Sequence, residues 1–289
     1  MKLFNGLESI VKTDEPMSRH TWMCLGGPAK YFVTPGSVEQ LQEVVRRCRD
    51  SEVPIHVLGA GANLLVSDEG VNGVVVKLSQ GHFQDVIWAD TTLRAGAGAD
   101  LSQMVLGTVR RGLSGMECLA GIPGTVGGAV RMNAGGAFGD IGSSVEVVHV
   151  MDSNGEVFTR HRADLAFGYR SSNINAPLIL GTEFELAEDE PDEVLQQVKK
   201  IWIYKKNTQP FSSGTCGCVF KNPRGMSAGA LIDQAEFKGH RVGGAHVSEK
   251  HGNFILADKG ATAADVLELI RLIRHKVEVT QGVSLELEM

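Results

Sequence analysis

The chain has 289 residues, of which 43% are hydrophobic, 21% charged and 6% aromatic, with a formal net charge of −6. The hydrophobic share excludes an intrinsically disordered chain, and no stretch approaches the roughly 18 uninterrupted apolar residues of a membrane span. The mild negative charge gives no electrostatic basis for binding nucleic acid.

The opening MKLFNGLESIVKTDEP has no apolar run and carries acids early, so it does not read as a secretory signal. Ser37 is placed to cap a helix whose apolar positions Leu41, Val44, Val45 and Cys48 follow the 3.6-residue period. A strand at 55–59, a glycine turn and a strand at 71–78 follow. Residues 84–98 read as a hairpin and 101–111 as a helix. Strands are expected near 145–151, 156–160 and 178–186, then a helix near 192–206. Apolar density drops over 207–217, which marks a boundary. Beyond it come a short helix (227–235), a strand (253–257) and a long helix opened by Thr262 and Asp265 in capping-box spacing. The closing VSLELEM alternates with period two and reads as a strand. The fold class is α+β.

Glycine is in excess, with 35 residues or about 12% against a usual ~7%, and it is clustered. Residues 112–139 hold nine glycines, and smaller groups lie at Gly59–Gly61, Gly214–Gly229 and Gly239–Gly252. Glycine weakens helices and strands, so such clusters mark backbone that turns tightly or approaches a ligand closely. LGAGANLLVSD follows a strand, but its G-x-G neither continues to a third glycine nor opens a long helix. The dinucleotide fingerprint of the Rossmann fold is therefore not met. Successive N–H groups in such a turn can still form a nest for a diphosphate. The second loop, LAGIPGTVGGAVRMNAGG, adds a backbone able to pass close to something flat and wide.

Five cysteines, Cys24, Cys48, Cys118, Cys216 and Cys218, show no disulfide framework spacing, which fits a reduced, cytoplasmic protein. Cys216 and Cys218 have no second Cys or His pair at zinc spacing, so no metal site is expected. Cys48 reads as a core residue and Cys216 as structural.

From about Ser18 to the last residue, the segments GAGANLLVSD, GLSGMECLAGIPGTVGGAVRMNAGG, FGYRSS, GCVFKNP and RVGGAHVSEKHGNFI, in this order, resemble the UDP-N-acetylenolpyruvoylglucosamine reductase (MurB) family. The short stretch between Arg170 and Cys216 is similar to the subclass lacking a substrate-covering loop. The resemblance implies a vanillyl-alcohol-oxidase (PCMH) type FAD-binding fold in two lobes plus a C-terminal α+β substrate lobe. The expected boundaries are 1–78 for the first FAD lobe, 79–210 for the second and 211–281 for the substrate domain. The FAD region covers about 26–189, and the terminal strand 282–289 returns to the second lobe. The implied activity is an NADPH-dependent FAD reductase acting on the enolpyruvyl group of a UDP sugar in peptidoglycan precursor synthesis. Its ligands are small molecules, with NADPH as co-substrate, and no nucleic acid, membrane insertion or particular protein partner is expected. Two other readings stand beside it: an FAD-dependent oxidase or dehydrogenase of the same fold, and a catalytically inactive nucleotide-binding relative.

The resemblance also implies roles for individual residues. FAD would lie along Gly59, Ala60, Gly61, Ala62, Asn63 and Leu64, and along Gly121, Ile122, Pro123, Gly124, Gly127, Gly128, Asn133 and Gly135. Hydride addition to an enolpyruvyl ether builds negative charge beside a carboxylate, so a fixed cation, a proton donor and an orienting group are needed. Arg170 in FGYRSS matches the carboxylate-stabilising arginine, since guanidinium binds carboxylate through paired hydrogen bonds. Cys218 stands where many relatives have serine, and a thiol with a reference pKa of about 8.5 is the stronger acid. Glu288 matches the catalytic glutamate, with Glu286 as a competitor on the same face of a period-two strand. Relatives usually continue several residues past this glutamate, so fraying there is expected. Asn222 matches a substrate contact, Lys221 reaches diphosphate or solvent, and Tyr169, Gln209 and His251 are further substrate candidates.

Overall fold

The computed structural model describes residues 2–211 and 214–289; Ser212 and Ser213, in the expected boundary segment, lie outside the described residues. The chain divides into two units: residues 1–14, 30–60 and 72–204 form the first, and 15–29, 61–71 and 205–289 the second. The division departs from the expected boundary at 78/79, because residues on both sides of it bury their apolar groups in one cluster. Val74 and Val76 share that cluster with Leu93, Val148 and Phe184.

A four-stranded sheet runs in the order β1 (Val11–Pro16), β2 (Pro28–Val33), β4 (Val71–Lys77), β3 (Ile55–Leu58). Helix α1 (Val38–Asp50) follows β2. It starts where Ser37 Oγ accepts the Gln40 N–H at 3.3 Å, and Leu41, Val44, Val45 and Cys48 form its buried stripe. Each of the three aliphatic side chains in that stripe contributes about 1.5–3 kcal/mol by leaving water. Burial pushes the Cys48 thiol up to about 11, as suits a core residue. β3 and β4 are parallel, with Ile55 opposite Val74 and Leu58 opposite Lys77. Gly73, Val74, Val75 and Val76 are all buried, the continuous apolar pattern of a strand covered on both faces.

The second sheet of this unit is antiparallel, ordered 157–161, 145–151, 178–185, β6 (Thr92–Gly96), β5 (Val86–Ala89). β5 and β6 form the expected hairpin around Asp90 and Thr91, with Asp90 in the left-handed region at φ 50°. Helix α2 (Leu101–Arg111) begins at Asp100, whose Oδ1 accepts the Gln103 N–H at 2.8 Å, and stops at Gly112, φ 63°. A short helix, α3 (Val126–Arg131), lies inside the glycine-rich block. Helix α4 (Pro191–Thr208) follows the sheet.

The second unit holds α5 (Ala228–Gln234), a small antiparallel sheet of 241–242, 245–247 and 255–257, and α6 (Ala263–Gln281). The expected capping box is formed: Thr262 Oγ1 accepts the Asp265 N–H at 3.1 Å, and Asp265 Oδ2 accepts the Thr262 N–H at 3.0 Å. Asp68 adds its carboxylate, accepting the N–H groups of Ala263 at 2.8 Å and Ala264 at 3.0 Å. A negative group at a helix N-terminus both satisfies orphan donors and complements the macrodipole. Val266, Leu269, Ile270, Ile273 and Val277 form the buried face of α6.

Residues 282–289 do not return to the second FAD lobe as a strand. Gly282, at φ 69°, ends α6, and Leu285 is 1% exposed within the core of the second unit. Only Leu287 forms a ladder bridge, to Phe220. The Lys221 N–H donates to Glu286 O at 2.8 Å and the Glu288 N–H to Val219 O at 2.9 Å. Local partners within the unit therefore hold the terminal segment.

Candidate active site

A cleft of about 370 Å³ opens in the first unit, lined by Gly59, Ala60, Gly98, Gly124, Gly127 and Gly128. That volume lies in the range of small-molecule sites, roughly 300–1,000 Å³. The loop carrying Gly124 and Gly127 is joined to the segment after β6. Leu101 N–H donates to Gly124 O at 3.1 Å, Val126 N–H to Ala99 O at 3.0 Å, and Gly127 N–H to Ala97 O at 2.8 Å. Glycine is required where these strands of chain cross. A Cβ on Gly98 would stand 1.5 Å from Leu78 O, and one on Gly127 would stand 2.8 Å from Ala97 Cβ. At Gly124 a Cβ would meet nothing within 4 Å, so this residue's bare face is open. Main chain exposed in this way, beside a half-buried lysine, suits an extended phosphate-bearing cofactor.

Lys77 and Arg131 also line the cleft and were not among the residues singled out from sequence. Burial lowers the pKa of both below their ordinary values. Arg131 donates to the carbonyls of Ile174, Ala176 and Pro177 and so fixes the chain that supplies Pro177 and Ile179 to the cleft. The sequence signal for Lys77 is a cation ending an otherwise apolar strand; for Arg131 it is a charge inside an apolar, glycine-rich block.

The expected cofactor residues separate. Gly59, Ala60, Gly124, Gly127 and Gly128 line the cleft, whereas Gly121, Ile122, Pro123, Asn133 and Gly135 are not among its lining residues. Asn133 is 2% exposed, and its amide serves the main chain: Oδ1 accepts the Gly142 N–H at 3.0 Å and Nδ2 donates to Gly168 O at 2.9 Å. Gly135 pairs with Asp140. Gly61, Ala62, Asn63 and Leu64 belong to the second unit. There Gly61, φ 69°, accepts the Trp22 N–H at 3.0 Å through its carbonyl.

Arg170 and Tyr169 form the two-residue turn of a hairpin in which Gly168 pairs with Ser171 and Phe167 with Ser172. Arg170 adopts φ 52°, a left-handed conformation that costs a non-glycine residue about 1–3 kcal/mol and clusters at functional positions. Its guanidinium lies 5.2 Å from the Tyr169 ring centroid, and the tyrosine is 54% exposed. Asn133, through Gly168, and Ser172, which donates to Arg131 O at 2.9 Å, hold this hairpin at its base.

In the second unit, residues 218–221 form the middle of three short extended segments. Cys218 bridges Phe254 on one side, and Phe220 bridges Leu287 on the other. Cys218 is partly exposed while Cys216 is buried. Burial first, then the nearby Glu288 carboxylate, pushes the Cys216 thiol up to about 12, so Cys216 stays a thiol and structural. Lys221 forms an ion pair with Glu286, which occupies the competitor of Glu288. Asn222 Oδ1 accepts the Ala228 N–H at 2.9 Å at the start of α5. Gln209 follows α4, its N–H donating to Lys205 O at 2.8 Å. His251 packs against Gly229 and Phe254, and its Nδ1 accepts the Asn253 N–H at 3.2 Å. Accepting at Nδ1 places the proton of the neutral ring on Nε2. Among the described residues no group of three or more His, Cys, Asp or Glu is placed to hold a metal ion.

Residues 29–160 match the FAD binding domain family, and the architecture is an α+β FAD-binding fold. Residues 209–289 match the C-terminal domain of UDP-N-acetylenolpyruvoylglucosamine reductase. The reductase of that name from Moorella thermoacetica is 41% identical over 289 residues, covering 100% of this chain and 95% of that protein. The Anoxybacillus flavithermus reductase is 38% identical over 282 residues, covering 96% of this chain and 93% of that protein. The crystal structure of the Thermus caldophilus enzyme superposes with a TM-score of 0.80 at 40% identity, covering 94% of this chain and 96% of that chain. The chain belongs to the UDP-N-acetylenolpyruvoylglucosamine reductase family.

Proposed function

We propose that this protein uses NADPH to reduce the enolpyruvyl group of UDP-N-acetylglucosamine enolpyruvate to the lactyl ether of UDP-N-acetylmuramate. The reading is carried by kinship that spans the FAD-binding unit and the C-terminal unit alike, at 41% identity over the whole chain. It is favoured over an oxidase of the same fold because such a relative has no need of the C-terminal reductase domain. Among the described residues no helix is long and apolar enough to cross a membrane.

FAD, when bound, would supply the hydride chemistry that links NADPH to the methylene carbon of the substrate. The glycine backbone of the cleft in the first unit, with Lys77, would hold part of that cofactor. Arg170 is assigned the fixed positive charge that binds the substrate carboxylate and stabilises the enolate-like charge built beside it. Cys218 Sγ–H is assigned the proton, which goes to the carbon bearing the ether oxygen and the carboxylate. The carbon–carbon double bond thus gains one hydride and one proton, and the thiolate regains its proton from solvent. Glu288 is assigned the orientation of the substrate carboxylate and of the intermediate. Tyr169, Gln209, Lys221, Asn222 and His251 are proposed as the substrate-facing set, with Asn222 also shaping the turn into α5.

Anaerobic half-reactions test the proposal. The natively purified protein should be yellow, NADPH should bleach it, and the enolpyruvyl sugar nucleotide should restore the colour. A colourless protein would favour an inactive relative, and a flavin that NADPH bleaches but the sugar nucleotide cannot reoxidise would favour another acceptor.

A further inference from the structure

Asn253 is 2% exposed, and both ends of its side-chain amide bond to the segment that follows Cys218. Its side-chain Oδ1 accepts the Phe220 N–H at 2.9 Å while Nδ2 donates to Phe220 O at 2.7 Å. The amide thus stands in for a strand residue, closing a two-bond ring with Phe220. Its own carbonyl accepts the Val219 N–H at 2.9 Å, and its N–H donates to His251 Nδ1 at 3.2 Å. Two successive amides after Cys218 are therefore held by one residue. On the opposite edge Glu288 N–H donates to Val219 O, and Lys221 N–H to Glu286 O.

The Asn253 carbonyl holds the Val219 N–H and its side-chain amide holds both polar groups of Phe220, so this one residue restrains the chain immediately after Cys218 from which the thiol is presented. An aliphatic side chain would leave two buried main-chain groups of Phe220 unpartnered, and a carboxylate would face the Phe220 carbonyl with a second acceptor.

We infer that Asn253 is a positioning residue for the proton that Cys218 delivers. The inference rests on the assignment of Cys218 as donor. It concerns one half-reaction alone, since transfer of hydride from NADPH does not use that proton.

The test is stopped-flow kinetics on the flavin-loaded protein carrying Asn253→Asp and, separately, Asn253→Ser, with Cys218→Ala in parallel. Misplacing a reacting group by about 1 Å costs on the order of 100-fold. Reoxidation by the enolpyruvyl sugar nucleotide should slow by that factor, with an enlarged solvent deuterium isotope effect. Flavin reduction by NADPH should stay within about threefold of wild type on the same scale. In Asn253→Asp the reoxidation rate should recover on acidification, because a protonated carboxyl again offers one donor and one acceptor to Phe220. The inference is overturned if reoxidation falls no further than flavin reduction, or if both variants lose the fold and the flavin together. A Cys218→Ala protein that reoxidises normally would sink the donor assignment itself. A slow Cys218→Ala beside normal Asn253 variants would sink the positioning role alone.

Discussion

The side-chain amide of Asn63 donates to the main-chain carbonyl of Glu288 at 3.0 Å. Together with the Glu288 N–H bonded to Val219 O at 2.9 Å, it restrains both sides of a residue whose position near the last residue suggested fraying. Asn63, which the resemblance sets among the FAD residues, thus also secures the main chain of the glutamate proposed to orient the substrate. Glu286, its rival by periodicity, is committed to Lys221.

Replacement of the proposed proton donor should separate the two half-reactions. Cys218→Ala should leave flavin reduction by NADPH nearly intact and slow reoxidation by the enolpyruvyl sugar nucleotide by about 100-fold or more, the usual scale of general-acid catalysis. Cys218→Ser should keep much more of the second rate. Rapid-mixing absorbance at the flavin band reads both steps, and equal turnover by alanine and wild type would remove Cys218 from the mechanism.

Two glycine substitutions should act differently. Gly98→Ala places a methyl carbon 1.5 Å from Leu78 O, so the backbone must move at a cost of about 1–3 kcal/mol. A lower thermal midpoint is the expected result. Gly124→Ala meets nothing within 4 Å, so the apoprotein should melt as wild type does while FAD affinity falls. Calorimetry and fluorescence titration of FAD into the apoprotein distinguish the two outcomes.

His251 should make stability depend on pH in a defined direction. Burial, followed in importance by the Lys238 ammonium, holds its folded pKa below 6.5. As pH falls through 6.5 the unfolded chain takes up a proton that the folded chain refuses, so stability is lost on acidification and retained above that value. The drop in thermal midpoint between about pH 7.5 and pH 5.5, a window bracketing the imidazole reference, should be smaller in His251→Gln. An equal drop would show that His251 contributes nothing to the slope.

Much of the secondary structure could be read directly because its signals are local. Ser37 and the stripe from Leu41 to Cys48 define α1, and Thr262 with Asp265 opens α6. Other elements carry no such signal. β1 exposes three successive residues, Lys12, Thr13 and Asp14, and so shows no alternation. α3 contains two glycines in six residues, which its hydrogen bonds rather than its propensity make helical. VSLELEM alternates as a strand should, yet only Leu287 finds a ladder partner. The tasks of Asp68, Asn133 and Asn253 depend on partners 195, 35 and 33 positions away, which short-range patterns do not encode. The glycine loops were legible as a cradle, but how they divide between the two units was not.

The short ladder between residues 97–101 and 124–127 has a consequence for cofactor exchange. A loop already tied by three main-chain bonds has little conformational freedom left to surrender, so its ordering entropy is met during folding rather than at the moment of binding. Loss of the flavin then empties a receptor without dissolving it, and recapture is governed by diffusion and desolvation rather than by a coupled folding step.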